Sequence, residues 1–364
     1  MIVSTLSIKN FRCFQKFTVE LDSGLNIIYG PNASGKTSLL EAIHILGLTK
    51  SNRTRNDSEL IKIGTEGFVI QGEIKEENAQ KTIMVLYSNK IKKVKVNNSF
   101  YKTLSDFIGC FNVVVFSPSD LFVFLGAPAV RRRELDLMLC QVSKQYLVAS
   151  TRYNRLLKER NFLLKEYSMS RSENKKDLLL VITEQLIKEG KQIISFRDRF
   201  LKKLNKITFN KHLLITKGKE NLILKYCPSV LDKDYKKMME SFFLEDVKRG
   251  NTACGPHRDD FCFLINDKNV SDYGSQGQRR NAILTVKLAF VDLVYEVKKK
   301  YPVLLLDDVF SEFDETRQNH LIQTLDKGVQ TIITTATLSD IDKKLIENAK
   351  LIKINIGGEK DGGY

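Results

Sequence analysis

The 364-residue sequence has no CxxC pair, no histidine pair at zinc spacing, no internal repeat and no low-complexity tract. Its six cysteines stand at 13, 110, 140, 227, 254 and 262. Without paired spacings, neither a disulfide framework nor a zinc site organises the chain, and the thiols read as buried, reduced cytosolic cysteines. No apolar run reaches the roughly 18 residues that a membrane-spanning helix needs. Residues 1–14 alternate polar and apolar side chains and lack the continuous apolar block of a signal peptide. These absences set aside secreted disulfide proteins, membrane-spanning proteins and fibres.

What is present is a globular composition, 42% hydrophobic and 28% charged, in a chain long enough for two or three domain-sized units. Lys and Arg number 58 against 43 Asp and Glu, a net charge of +15. That balance suggests a polyanionic partner: nucleic acid, nucleotide or an anionic membrane face. The excess is concentrated, since residues 131–211 hold 20 basic and 9 acidic side chains. This segment is either a phosphate-backbone surface or a solvated pair of helices with incidental charge.

Periodicity divides the chain into three stretches. Residues 1–125 read as strands around one helix. Val3, Thr5, Ser7 and Lys9 alternate with Ile2, Leu6 and Ile8, the short apolar run 25–29 ends at Gly30, and further strands are expected at 68–74, 82–87, 94–96 and 113–116. Near residue 130 the character changes. Leu135, Leu139, Val142, Tyr146, Ala149, Tyr153 and Leu156 form a heptad seam that breaks at Arg160. A second amphipathic helix carries Leu179, Ile182, Leu186, Ile193, Phe200 and Leu204, with the turn expected within 167–177. From about residue 250 the α/β pattern returns, with strands at 261–265, 302–306 and 331–335, a helix over 281–299, and a frayed tail at 357–364. The expected fold is α/β: a head, 1–125 with 251–364, built from both ends of the chain, and an inserted helical lobe, 126–250, carrying a short antiparallel helix pair.

The chemistry is concentrated in a few motifs. Gly30-Pro31-Asn32-Ala33-Ser34-Gly35-Lys36-Thr37 matches the phosphate-binding loop GxxxxGK[ST], with an apolar strand before it and a helix after it. Small residues let several backbone N–H groups converge on phosphate oxygens, and the helix adds its positive end. Lys36 supplies a charge for the β and γ phosphates, and the Thr37 hydroxyl can ligate Mg2+. Asp307 closes the apolar strand 304–306 and is assigned to Mg2+. Asp308 is assigned as the general base that orients the attacking water. Lys36 and Asp307 lie 271 positions apart, which itself argues for a head made from both ends with helices inserted between. Ser275-Gln276-Gly277-Gln278-Arg279-Arg280 opens the helix near 281 and forms a second anion-binding helix start. That segment resembles the signature motif of the ABC class of ATPases, in which the motif binds the γ-phosphate held by a second subunit. Ser311-Glu312-Phe313-Asp314 resembles the D-loop of the same class.

The opening Leu6-Ser7-Ile8-Lys9-Asn10-Phe11-Arg12-Cys13-Phe14 resembles that of the SMC and RecF group, and Leu39-Leu40-Glu41-Ala42-Ile43 fits the same pattern. With 116–121, 128–136, 255–260 and 306–312, the chain resembles the RecF family over nearly its whole length. The resemblance implies a nucleotide site made of Arg12, Gly30, Pro31, Asn32, Ala33, Ser34, Gly35, Lys36, Thr37 and Ser38, completed in a homodimer by Ser275, Gly277 and Gln278 of the other copy. Departures are Ala33 where the family usually has Gly, Ser38 where it has Asn, and Asp308 where the ABC class has Glu, which predicts slow turnover. No histidine follows the strand at Thr334-Thr335-Ala336, and Ser117-Pro118 stands where a Q-loop glutamine would be.

The function so implied is an ATP- and Mg2+-dependent, cytoplasmic DNA-binding switch of recombinational repair and replication restart, with no membrane partner. It dimerises on ATP, binds double-stranded DNA beside single-stranded gaps, and acts with RecR- and RecO-like proteins to load RecA, releasing after slow hydrolysis. Arg53 and Arg55, and Arg131, Arg132 and Arg133, are the candidate DNA contacts. The alternatives are a transporter ATPase subunit and a non-catalytic DNA-binding scaffold with a nucleotide pocket.

Overall fold

A computed structural model describes residues 1–77, 79–310, 318, 322, 325–326 and 328–355. The chain forms two compact units, Met1–Asp120 with Ile283–Tyr364, and Leu121–Ala282. The first unit opens with β1 (Ile2–Phe11), β2 (Phe14–Glu20), β3 (Leu25–Tyr29), β4 (Gly67–Glu76), β5 (Ala79–Ser88), β6 (Ile91–Val96), β7 (Ser99–Phe100) and β8 (Val113–Phe116). β9 (Leu222–Cys227), β10 (Asp260–Ile265) and β11 (Lys268–Asn269) belong to the second. β12 (Val303–Asp307), β13 (Thr331–Thr335) and β14 (Lys350–Lys353) return to the first.

Two sheets with different burial rules make the first unit. The antiparallel sheet, in order β2-β1-β4-β5-β6-β7, alternates buried and partly exposed residues, as in β4. The parallel sheet, in order β14-β3-β13-β12-β8, has continuous buried apolar runs at β12 (Val303-Leu304-Leu305-Leu306) and β8. The helix Lys36–Leu48 lies between the sheets and is buried on nearly every side, its Leu39, Ile43 and Leu46 sharing one core with Ile70, Val85, Val113 and Leu305. Gly47 permits the close approach, because a Cβ there would lie 2.8 Å from the Val113 side chain. The expectation of a head drawn from both chain ends is met by register: Leu25 pairs with Thr331 and Val113 with Val303. Gln330, fully buried, reinforces the seam. Its Oε1 accepts the Val3 N–H at 2.8 Å, and its Nε2 donates to the carbonyls of Val3 and Asp22 at 2.8 and 2.7 Å.

The second unit is a helical hairpin, Lys144–Ser170 and Glu173–Ile215, packed with a three-stranded sheet in order β11-β10-β9. Residues 251–282, expected in the head, lie in this unit, because β10 pairs antiparallel with β9. The heptad seam differs from expectation in two ways. It spans two helices, since Pro128–Val142 ends at Ser143, whose side chain caps the next helix by accepting the Tyr146 N–H. Nor does it stop at Arg160, which fills the next seam position and is fully buried against Asp246 at 2.8 Å, Thr252 at 2.7 Å and Thr183 at 2.9 Å. The hairpin turns at Arg171, in a left-handed conformation with φ of 49°.

A buried polar cluster ties the hairpin to its neighbours. Arg197 donates to Asp136 at 2.8 Å, Asp259 at 3.1 Å and the Pro256 carbonyl at 2.7 Å. His257 sits beside it, between the Tyr153 hydroxyl at 2.7 Å and the Thr252 carbonyl at 3.1 Å. Burial pushes the His257 imidazole down to about 4. A histidine depressed in the folded state contributes stability above its unfolded pKa and loses it as pH falls. Urea unfolding followed against pH is therefore expected to show a loss of up to about 3 kcal/mol between pH ~6.5 and ~4, absent from the His257→Asn protein.

Candidate nucleotide site

The strand β3 runs out at Tyr29, and the loop 30–35 turns into the helix Lys36–Leu48. The turn depends on left-handed backbone at Ala33 (φ 65°) and Gly35 (φ 105°), which lets successive N–H groups face one concavity. Gly30 is also required, since a Cβ there would lie 2.1 Å from the Ile354 carbonyl oxygen. Lys36 is buried, and its Nζ donates to the carbonyls of Gly30 at 2.7 Å and Pro31 at 2.8 Å. Burial lowers the Lys36 pKa, while the charges of Asp308 and Asp307 oppose that shift, so both carboxylates face this ammonium.

Asp307, at the end of β12, comes to the loop through sheet order. Its Oδ1 accepts hydroxyls from Thr37 at 2.9 Å and Thr334 at 2.7 Å. Thr334 is the register partner of Asp307 on β13, and its Oγ1 also accepts the Asp308 N–H at 3.0 Å. Burial raises the Asp307 pKa, and the two hydroxyl bonds and Arg53 pull it back. Asp308 is exposed and left-handed (φ 52°), a conformation that Asp tolerates better than most residues.

The donors suit a magnesium triphosphate. Two oxygens that share an octahedral Mg2+ at about 2.1 Å stand about 3.0 Å apart, and Thr37 Oγ1 and Asp307 Oδ1 are separated by 2.9 Å. Ser34 Oγ is buried in the loop with no hydrogen-bond partner, leaving a donor for a ligand oxygen. Among the described residues no cluster of three or more His, Cys, Asp or Glu could hold a metal on its own. One carboxylate, one hydroxyl and phosphate oxygens form the usual Mg2+ set at such loops.

Arg12, also left-handed (φ 53°), is held by Glu41 through Nε at 2.9 Å and Nη2 at 2.8 Å, and by the Glu59 carbonyl at 2.9 Å. Arg53 stands 3.5 Å from Glu41, and its charge draws the Asp307 pKa down. Arg55 is exposed. In the second unit, Ser275 and Gln278 cap their helix reciprocally. The Gln278 N–H donates to Ser275 Oγ at 3.2 Å, the Ser275 N–H donates to Gln278 Oε1 at 2.9 Å, and Gln278 Nε2 reaches Glu220 at 2.9 Å. A Cβ on Gly277 would meet only Ser275 Oγ, at an ordinary contact of 4.0 Å, so its glycine is not required by packing.

The arginine run at 131–133 has partners within the protein. Arg131 pairs with both carboxylate oxygens of Asp260, at 2.7 and 2.8 Å, and donates to the carbonyls of Val123 and Gly126. Arg132 donates to the Asp259 carbonyl at 2.7 Å. Segments 128–136 and 255–260 are thus packing partners, and the guanidinium of Arg131 is taken up inside the protein. The 311–314 segment lies outside the described residues, as does the 357–364 tail. Sequence reasoning missed Thr334, whose role depends on parallel register across 27 positions, and the grip of Glu41 on Arg12.

A phosphate loop at the tip of a parallel strand, a carboxylate held over it from another strand and a head closed from both chain ends define an ATPase head of the ABC/SMC class. The family model described as the RecF/RecN/SMC N-terminal domain matches residues 2–355. The DNA replication and repair protein RecF of Ligilactobacillus salivarius (strain UCC118) is 41% identical over 371 residues, covering 98% of this chain and 97% of that protein. A solved structure of the recombination mediator protein RecF with ATP, in the RecFOR pathway, superposes with a TM-score of 0.88 at 34% identity, covering 99% and 98%. The Smc head domain of Pyrococcus furiosus shares the fold, with a TM-score of 0.54 at 17% identity over 98% and 95%. The chain belongs to the RecF family.

Two outcomes test this geometry. Ala33→Gly relieves a left-handed penalty of about 1–2 kcal/mol against an unfolded-state entropy cost of about 0.4–1 kcal/mol, so denaturant unfolding should show a small net gain. Because burial holds Asp307 above the ordinary carboxylate range, Mg2+-dependent triphosphate affinity measured by calorimetry should begin to fall above pH ~4 on acidification, the ionised form being the one a cation needs.

Proposed function

We propose that this protein is an ATP-dependent DNA-binding switch of DNA repair and replication. The observation that carries the reading is the bond from Thr37 to Asp307 beside a loop whose carbonyls Lys36 already holds, on a chain whose solved relative is a RecF with ATP. Lys36 and the loop amides hold the β and γ phosphates, and Thr37 and Asp307 would hold Mg2+. The ion, when bound, neutralises charge developing on the phosphates. Asp308 is the general base that orients the attacking water. Its exposure beside the loop supports that role, and its short reach fits slow turnover.

Ser275, Gly277 and Gln278 complete the site from a second copy, so that ATP joins two protomers. The reciprocal helix cap and a glycine at 277 that packing does not demand support that assignment. Arg53 and Arg55 are the DNA contacts this reading favours. RecR- and RecO-like proteins are the partners and RecA loading the outcome, in the cytoplasm. Family membership favours this reading over a transporter subunit.

Sedimentation with ATP, ADP or no nucleotide, with and without gapped DNA, is the direct test. ATP should produce a dimer in the parent and not in Lys36→Arg; a parent that stays monomeric with a non-hydrolysable analogue and DNA contradicts the proposal. Asp308→Asn should dimerise yet lose about 10²–10⁴-fold in turnover, and parent-like turnover would move the base to another residue.

A further inference from the structure

The phosphate loop explains Lys36 and Thr37 and leaves one buried charge of the same helix without a task. Glu41 follows Thr37 by one turn, its side chain is fully buried, and donors from three residues converge on it. Two come from Arg12 and one from Ser51, whose Oγ donates at 2.5 Å, and Arg53 Nη1 adds its charge at 3.5 Å. Ser51 Oγ in turn accepts the N–H groups of Arg53 at 2.9 Å and Thr54 at 3.0 Å. One carboxylate therefore fixes two guanidinium groups and the fold of the loop 51–56 that carries Arg53 and Arg55.

Both guanidinium groups border the nucleotide site. The turn after Arg12 packs on the phosphate loop, where a Cβ at Gly35 would touch Cys13 and Phe14. Arg53 reaches Glu41 at 3.5 Å, one helical turn from Thr37. A buried carboxylate must keep cationic or hydrogen-bonding partners. A triphosphate places several negative charges beside the same arginines and competes for them. If Arg12 turns toward phosphate, Glu41 keeps only Ser51 and Arg53, and the loop 51–56 must answer.

We propose that Glu41 is a positioning residue that couples the phosphate loop to the loop 51–56, so that triphosphate binding resets how Arg53 and Arg55 meet DNA. The inference rests on the ATP and DNA reading above. By linkage the effect is reciprocal: DNA held by this loop changes triphosphate affinity by the same factor.

The test measures duplex affinity of the full-length protein with and without Mg2+ and a non-hydrolysable triphosphate analogue. In the parent the ratio should be about tenfold, within the ordinary range of coupling. Glu41→Gln, which keeps an acceptor and removes the charge, should bring the ratio close to one. Its loss of analogue affinity should vanish in an Arg12→Gln background, which a general loss of structure would not produce. Ser51→Ala breaks only the loop side, so it should lose the ratio with analogue affinity intact, and it serves if Glu41→Gln does not fold. Equal ratios in the parent and these variants overturn the proposal. A parent that binds analogue without any ratio overturns the coupling and leaves the ATPase reading standing; a parent that binds no analogue overturns both.

Discussion

The parallel ladder that joins β3, β13 and β12 is the constraint on which the rest of the molecule depends. Those strands come from opposite ends of the sequence, and their pairing brings Thr37 and Asp307 within a hydrogen bond of each other. Such long-range pairing carries a large closure entropy before any contact compensates for it. The compensation is an unusually dry interface: strands apolar on both faces, a helix buried between two sheets, and Gln330 satisfying the backbone where β1 passes β13. The site thus inherits its rigidity from the core, because the groups it uses sit at the ends of buried strands.

The second unit is held together differently. Its centre is polar: Arg160 on Asp246, Arg197 on Asp136 and Asp259, and Arg131 on Asp260. Desolvating such pairs offsets much of their attraction, so their contribution to stability is modest, while breaking one strands a buried charge at about 3–5 kcal/mol. Their geometry fixes how the hairpin, β10 and the 255–260 turn meet, and an apolar core of similar volume would tolerate several packings.

Much of the fold was legible because its signals are local. The run Val303-Leu304-Leu305-Leu306 and the loop before Lys36 declare strand, turn and helix within a few residues. β9 and β14 were not, since Leu222–Cys227 and Lys350–Lys353 mix lysines with apolar residues and become strands only by pairing with β10 and β3. Arg160 read as the end of a seam because its charge hides a buried position whose partner lies 86 residues away. In the site, Lys36, Thr37 and Asp307 followed from spacing and strand context. Thr334 and the Glu41 grip depend on register and on a turn 29 residues upstream, which no local pattern encodes. The arginines at 131–133 show the converse: a basic run is an obvious feature of the sequence, yet Asp260 and two carbonyls take up the first of them.

The first glycine of the phosphate loop rests against the backbone of Ile354, one residue past the strand that flanks β3. During synthesis on the ribosome, the residues of the loop emerge early and those that support it emerge some three hundred codons later. A nascent chain therefore carries the phosphate loop for most of its translation without the walls that give it shape. The walls of that loop are complete only once the residues around 354 have been translated.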